Sequence, residues 1–190
     1  MYRTATNQLR LATAAIAALL AATALSLGPG AASGHAAQCK NSSAPAYELS
    51  GREARRATLC LLNRERADHG LKPLHADEHQ QKAAGAHNRT MLRKDCFSHQ
   101  CSGERDLVGR IEQAGYLPCS CSWSVGENIA WGSGELSSPR RIVDAWMGSG
   151  PHRANILNRR FEDIGVAVDS GSPGSGGQAA TYTTDFGFKD

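Results

Sequence analysis

The chain has 190 residues, enough for one domain with a single hydrophobic core. Its 21 Lys and Arg residues and 18 Asp and Glu residues leave a formal net charge of +3. Two of the arginines lie in an N-terminal segment that we predict is removed, so the rest is nearly neutral, which argues against binding nucleic acid or another polyanion through overall charge.

The N-terminus has the layout of a secretory signal peptide. Two arginines precede an apolar run from Leu11 to Leu27, and small residues follow it. The alternative is a membrane anchor, but this run is about half alanine and shorter than the about 20 residues that a span needs. We therefore predict a cleaved signal at residues 1–37, with cleavage after Gly34 or Ala37, a secreted protein, and no membrane span once the signal is gone.

The six cysteines all follow the predicted signal peptide. An even number in an exported chain favours disulfides over metal thiolates. Six cysteines allow 15 pairings, and spacing alone does not choose among them. The pairing we favour joins Cys39 to Cys60, and Cys96 and Cys101 to Cys119 and Cys121, because the last two lie too close together to bond comfortably with each other. It would hold the loop that contains His99 beside the segment that contains Glu127.

The first half of the remaining chain is predicted to be helical. Residues 38–50 are polar and contain proline, which indicates a flexible lead-in. Helices are then predicted at about 51–69, 77–92 and 104–114, where apolar residues recur at helical spacing between capping residues and glycines. A loop flanked by cysteines lies at residues 93–103.

The second half adds one main helix and the predicted strands. An apolar segment at 125–131 contains Gly126 and is expected to be irregular. Ser138 and Pro139 open a helix, with one or two further turns at 152–157. Strands are predicted at 164–168 and 180–186, joined by a flexible turn at 170–177. Helices first and strands late predict an α+β domain at residues 51–190, with an antiparallel sheet.

Polar side chains in apolar surroundings are the candidate site residues. His99 follows a phenylalanine in the cysteine-flanked loop, and Glu127 lies inside the apolar segment, where a carboxylate must be paired or in use. His152 lies at a predicted helix start, with Asn155 on the same helical face and Ser149 just before it. A buried structural network is the alternative to a working site, and spacing alone does not show that these side chains meet.

Other patterns in the sequence resemble catalytic or metal-binding motifs but do not match them. His75 and His79 lie four residues apart, but the metalloprotease signature needs a glutamate directly after the first histidine, and Asp77 as a helix cap leaves His75 outside the helix. No nucleophile elbow of the Gly-Xaa-Ser-Xaa-Gly type is present. Ser149 and His152 suggest a nucleophile and its base, but that chemistry needs a defined geometry and an oxyanion hole.

From about Leu59 to Gly187 the motifs match a known family in order and spacing. They include Phe97-Ser98-His99, Gly126-Glu127-Asn128 and the run from Trp146 to Leu157. The chain resembles the CAP superfamily of cysteine-rich secretory proteins, insect venom antigen 5 and plant pathogenesis-related protein 1, and above all its short extracellular bacterial branch. The resemblance implies a three-layer α-β-α sandwich, in which a small antiparallel sheet lies between helical layers.

The resemblance also implies a cleft lined by two histidines and two acids. His99, Glu127 and His152 match three of these positions, whereas Ser149 occupies that of the second acid, so the tetrad is reduced to a triad. Thr184 stands where many bacterial relatives carry Gln. Relatives bind metal through the two matching histidines, so His99 and His152 are the candidate ligands for Zn²⁺ or another divalent cation, bound weakly because two side chains make a labile site.

The resemblance suggests two functions, and a purely structural role of the triad is the third interpretation. We favour a monomeric, non-catalytic extracellular module that binds a small hydrophobic ligand such as a lipid or sterol, a cell-wall component or a protein, and no nucleic acid. The alternative is a peptidase-like hydrolase that uses His99, Glu127 and His152, which the missing second acid makes less favourable. In the purely structural interpretation, the triad only stabilises the core.

Overall fold

The computed structural model describes residues 39–117 and 122–190. In these residues the α-helices are α1 (Gly51–Asp68), α2 (Glu78–Arg93), α3 (Leu107–Ala114), α4 (Pro139–Met147) and α5 (Gly150–Ile156). The strands are β1 (His75–Ala76), β2 (Trp123–Ser133), β3 (Asp163–Ser172) and β4 (Ser175–Lys189). Short 3-10 helices span Ala46–Glu48 and Gly134–Ser137. The predicted signal peptide, residues 1–37, lies outside the described residues.

Side-chain caps explain where the first three helices begin. Ser50 forms a reciprocal capping box with Glu53, and Asp77, the predicted cap, accepts a hydrogen bond from the Gln80 amide. Helix α3 begins three residues later than predicted, because Asp106 caps it by accepting from the Gly109 amide at 2.8 Å. Glu104, the predicted first residue, lies outside the helix.

The sheet has the strand order β1-β3-β4-β2. Strand β4 pairs antiparallel with β3, as predicted, and also with β2, while the two-residue β1 adds a parallel pairing at the β3 edge. The segment expected to be irregular is instead a continuous strand, β2, whose residues 123–133 all pair with β4. The predicted flexible turn at 170–177 is also wrong, because pairing with a bulge extends β3 and β4 to a turn at residues 173–174.

Helices cover both faces of the sheet, which confirms the α-β-α sandwich. Helices α1, α4 and α5 pack together on one face, and α2 and α3 on the other. The larger core lies under the first group, where Trp146 meets Tyr182 edge-on and Phe161 stacks on Phe186. Hydrophobic burial on both faces therefore fixes the sheet between its helices.

The segment predicted as a flexible lead-in packs against the domain from Cys39 onward. The predicted disulfide between Cys39 and Cys60 ties it to α1. Ala46 is buried, and the Ser42 carbonyl accepts a hydrogen bond from the Arg140 amide at 2.8 Å. These contacts make residues 39–50 an integral part of the fold.

The second predicted pairing is wrong, because Cys96 bonds to Cys101. The two cysteines lie five residues apart with a Cα–Cα distance of 6.1 Å, so the loop closes on itself. Cys119 and Cys121 lie outside the described residues. The loop that contains His99 is therefore not held to the Glu127 segment through the sulfurs of Cys96 and Cys101.

Within the part of the chain that the structure describes, no helix combines the length and the apolar character needed to cross a bilayer.

Candidate functional site

A buried carboxylate, Glu127, is the centre of the candidate site. Its Oε1 accepts a hydrogen bond from Nδ1 of His99 at 2.8 Å, and its Oε2 accepts from Nη2 of Arg110. The Glu127 side chain is only 2% exposed, whereas that of His99 is 57% exposed. The carboxylate thus orients an imidazole that reaches solvent, and the His99–Glu127 contact suggested by the resemblance is present.

Arg110 links the His99 loop to Glu127, a connection that the sequence analysis had assigned to disulfides. Its Nη1 donates to the backbone carbonyl of His99 at 2.9 Å, while its Nη2 contacts Glu127. Arg110 belongs to α3 and is 5% exposed. One guanidinium therefore fixes both the loop and the carboxylate, since its planar donors can serve several acceptors at once.

A second carboxyl group, Asp185, lies beside Glu127. The two residues are direct partners across β2 and β4, so their side chains share one face of the sheet. Asp185 is fully buried, and neither of its carboxyl oxygens has a hydrogen-bond partner among the described residues. Burial, and next the negative charge of Glu127, raise the pKa of Asp185 well above its ordinary value, so Asp185 is the protonated member of the pair.

His87 completes the buried network from helix α2. Its Nδ1 donates to Oε2 of Glu104 at 2.9 Å, and its Nε2 lies 3.9 Å from Oε2 of Glu127. Glu104 also accepts a hydrogen bond from the Cys101 amide at 3.2 Å, which explains why it does not start helix α3. The network thus anchors the disulfide-closed loop to both helices on this face of the sheet.

The charges around Glu127 set the protonation states of the site. Burial raises the pKa of Glu127, but the His99 hydrogen bond and the Arg110 charge outweigh burial and lower it, so the group is ionised. The hydrogen bond to Glu127 raises the pKa of His99. Burial, and next the charge of His99, lower the pKa of His152.

His152 lies in a shallow groove beside strand β2. The groove encloses about 310 Å³, and its lining includes Phe97, Trp131, Ser149 and His152. Phe97 and Trp131 are 46% and 44% exposed. The charge of His99 reaches His152 and lowers its pKa, and His99 lies two residues from Phe97, so the groove and the His99–Glu127 pair adjoin.

Asn155 has a structural role rather than a place in the groove lining. Its Nδ2 donates to the Glu127 carbonyl at 3.1 Å and to Oδ1 of Asn128 at 2.9 Å, which fastens α5 to β2. A Cβ at position 126 would lie 2.9 Å from Oδ1 of Asn155, so this contact requires Gly126. The glycine that suggested an irregular segment instead allows the helix to approach the strand.

Sequence reasoning missed four residues of the network, namely His87, Glu104, Arg110 and Asp185. The sequence pattern could have indicated two of them. His87 and Arg110 lie on the apolar stripes of their helices, where a polar side chain is buried and needs a hydrogen-bond partner. Asp185 lies within a predicted strand, but nothing in its spacing indicates that it faces Glu127.

For a metal ion, the described residues offer a free imidazole nitrogen on His99 but no set of three donors. His99 uses Nδ1 for Glu127, which leaves Nε2 available as a ligand atom in the carboxylate–histidine arrangement common at metal sites. Among the described residues, no group of three or more His, Cys, Asp or Glu side chains is placed to hold a metal ion. His75 and His79 also stay apart: His75 lies in β1, and Nδ1 of His79 bonds to the Ala114 carbonyl at 2.9 Å.

Fold and site together define a small α-β-α domain with a histidine–carboxylate cleft. Residues 59–186 match the cysteine-rich secretory protein family, CAP, and the chain belongs to that family.

Two Bacillus subtilis (strain 168) proteins are related in sequence. YkwD is 41% identical over 113 residues, and the membrane protein YlbC is 32% identical over 111 residues. The matches cover 59% and 58% of this chain but only 41% and 30% of those proteins, so the similarity concerns one part of each.

Solved structures support the same fold. An outer surface protein from Borrelia burgdorferi has a TM-score of 0.62 at 18% identity, with 75% of this chain and 97% of that one covered. An extracellular protein containing an SCP domain from Bacillus anthracis str. Ames has a TM-score of 0.57 at 25% identity, with 73% and 43% covered.

Proposed function

We propose that the chain is a secreted, non-catalytic binding module whose ligand lies in the groove lined by Phe97, Trp131 and His152. The observation that carries this proposal is the state of Glu127. Both carboxylate oxygens accept a hydrogen bond and only 2% of the side chain is exposed, so a substrate or water has almost no access to it. A general base needs such access to the proton that it removes.

The groove favours a small hydrophobic ligand over a cell-wall or protein ligand. Exposed aromatic side chains on a concave surface provide apolar contact area, and the two imidazoles nearby offer polar contacts at one end. The related B. anthracis protein is extracellular, which agrees with export of this chain behind a signal peptide at residues 1–37. Export predicts a protein in the medium that begins at His35 or Gln38, which N-terminal sequencing would show.

Titration of the exported protein with a fluorescent fatty acid and a fluorescent sterol tests the binding proposal. We expect saturable binding to one of the probes, weakened at least tenfold by Trp131→Ser. Trp123→Ser is the matched control, because Trp123 is 41% exposed on the same strand but does not line the groove. No binding of either probe, or an equal loss of affinity in both variants, would contradict the proposal of a small hydrophobic ligand. If the protein bound neither probe but were retained on purified cell wall, the ligand would be a cell-wall component instead.

We also propose that His99 and His152 together bind a divalent cation weakly. Support comes from Nε2 of His99, which the Glu127 hydrogen bond at Nδ1 leaves free, and from His152 in the adjoining groove. Because the pKa of His99 is raised, the metal competes with a proton at this nitrogen, and its uptake should weaken as pH falls. Calorimetry with Zn²⁺ should show weak binding that His99→Ala and His152→Ala each abolish and that His75→Ala leaves intact. Heat that all three variants retain would place the metal elsewhere.

Hydrolysis remains the second candidate, because one observation favours it: Glu127 orients His99 and raises its pKa, as a carboxylate does for a catalytic histidine. A peptide-library digest that compares the wild type with His99→Gln decides. Cleavage that disappears in the variant would support the enzyme, whereas equal turnover or none would exclude it.

A further inference from the structure

A cationic cavity lies between α2 and α3, apart from the groove described above. It encloses about 520 Å³, within the range of small-molecule sites. Five basic side chains line it, Lys82, Arg93, Lys94, Arg105 and Arg110, together with one carboxylate, Glu104. The charge of the whole chain is nearly balanced, so this concentration is local.

The carboxylate of Glu104 does not neutralise the basic side chains at the rim. It is bonded to His87 and the Cys101 amide, and its only basic side-chain neighbour besides His87 among the described residues is Arg110, at 3.9 Å. Lys82 and Arg105 are exposed and have no acidic partner within the described part of the chain. Their like charges repel one another in the unliganded protein, a cost that a bound anion would remove.

Arg110 lies in the wall of the cavity but does not offer it a free donor. Both of its terminal nitrogens are bonded, to the His99 carbonyl and to Glu127. Its Nε has no acceptor among the described residues, but this atom is shielded from solvent and therefore from an anion in the cavity. The basic side chains that remain available to a ligand are those around the opening.

Small residues keep the space open. Ala83 and Ala86 on α2, Ala114 on α3 and Gly103 before it line the cavity, and none has a side chain long enough to fill it. The floor is therefore partly apolar and the rim is basic. This concave outline suits a compact molecule and not a nucleic acid duplex, whose grooves need a protruding element of the protein.

We propose that the cavity between α2 and α3 binds a compact multivalent oxyanion through Lys82, Arg93, Lys94 and Arg105. Two or more phosphate groups fit this surface best, since several cations surround one opening. The shared chemistry is the phosphate group, whether it belongs to a free polyphosphate or to a phosphorylated polyol. The site does not depend on the groove ligand proposed above.

Calorimetry with inorganic tripolyphosphate and with inositol hexakisphosphate tests the proposal and separates these two sources. We expect one site per chain, weakened at least tenfold by Lys82→Gln combined with Arg105→Gln. Arg52→Gln combined with Arg56→Gln is the matched control, because those arginines are exposed on α1 and lie outside the cavity; it should change the affinity less than twofold.

The Arg110 side chain gives an independent readout by NMR. Tripolyphosphate should change the chemical shift of its Nε–H, because Arg110 lies in the cavity wall close to the charge of the bound anion, in the wild type and not in the double variant at the same concentration. Absence of binding, or equal weakening in the cavity and control variants, would overturn the proposal. An unmoved Nε–H resonance at saturation would also overturn it, because the anion would then lie outside the cavity.

Discussion

At the scale of single residues, Glu127 governs the site through its two occupied oxygens. One orients His99 and the other receives Arg110, so the same carboxylate connects a solvent-exposed imidazole with a buried guanidinium. Because the pKa of Asp185 is raised, the two adjacent carboxyl groups can be buried with a single negative charge, which lies on Glu127.

The pKa of His99 should depend on this carboxylate. Glu127→Gln removes the negative charge that stabilises the imidazolium, so the raised pKa of His99 should fall toward its ordinary value. NMR titration of the His99 ring protons measures the change. Glu53→Gln, a matched substitution in the α1 capping box, should leave the pKa of His99 unchanged. If Glu53→Gln lowered the pKa of His99 as much as Glu127→Gln does, Glu127 would not be the cause of the raised pKa.

Asp185→Asn should stabilise the protein increasingly as pH rises. The folded-state pKa of Asp185 is raised, so the folded protein retains a proton that the unfolded chain releases above its own pKa near 3.8, and stability is lost as pH rises between the two pKa values. The asparagine side chain has nearly the same shape but never ionises. Urea unfolding should show little difference at pH 3.5 and a stabilisation of the variant that grows toward pH 7. A loss that grows with pH would contradict this charge assignment.

At the scale of elements, close approach of a helix and a strand depends on glycine. A Cβ at Gly165 in β3 would overlap the backbone carbonyl group of Gln80 in α2, and backbone cannot move aside as a side chain can. Helix α2 supplies His87 to the network and one wall of the cationic cavity, so this contact positions both.

Gly165→Ala should therefore reduce the free energy of unfolding by about 3 kcal/mol. Gly150→Ala is the control, because a Cβ at this first residue of α5 meets no atom within 4 Å. Chemical denaturation of both variants measures the difference. Equal stability of the two would show that α2 can shift away from the sheet at little cost.

At the scale of the whole molecule, covalent links and apolar burial hold the chain together. The Cys39–Cys60 disulfide fastens the N-terminal segment to α1, and the Cys96–Cys101 disulfide closes only the small loop around His99. The net charge describes the molecule poorly, since a nearly neutral chain concentrates five basic side chains around one cavity.

The two disulfides should differ in their contribution to stability. Replacing Cys39 and Cys60 with alanine opens a loop of 21 residues and should cost about 3 kcal/mol, against about 2 kcal/mol for the five-residue separation of Cys96 and Cys101. Urea unfolding compares the two double variants. Non-reducing peptide mapping should recover Cys96 bonded to Cys101, and a bond from either to Cys119 or Cys121 would contradict the structure.

The amino-acid sequence by itself determined the order of helices α1 to α5 and of strands β3 and β4, and the helix cap at Asp77, because these depend on local periodicity and short-range chemistry. Its motifs also determined the family. Only the tertiary structure decided that Arg110 takes the place of the predicted disulfides, that Asp185 faces Glu127 and that the basic residues of two helices surround one cavity. Those contacts join residues far apart in the chain, and the register of the strands and the packing of the helices, rather than spacing, bring them together.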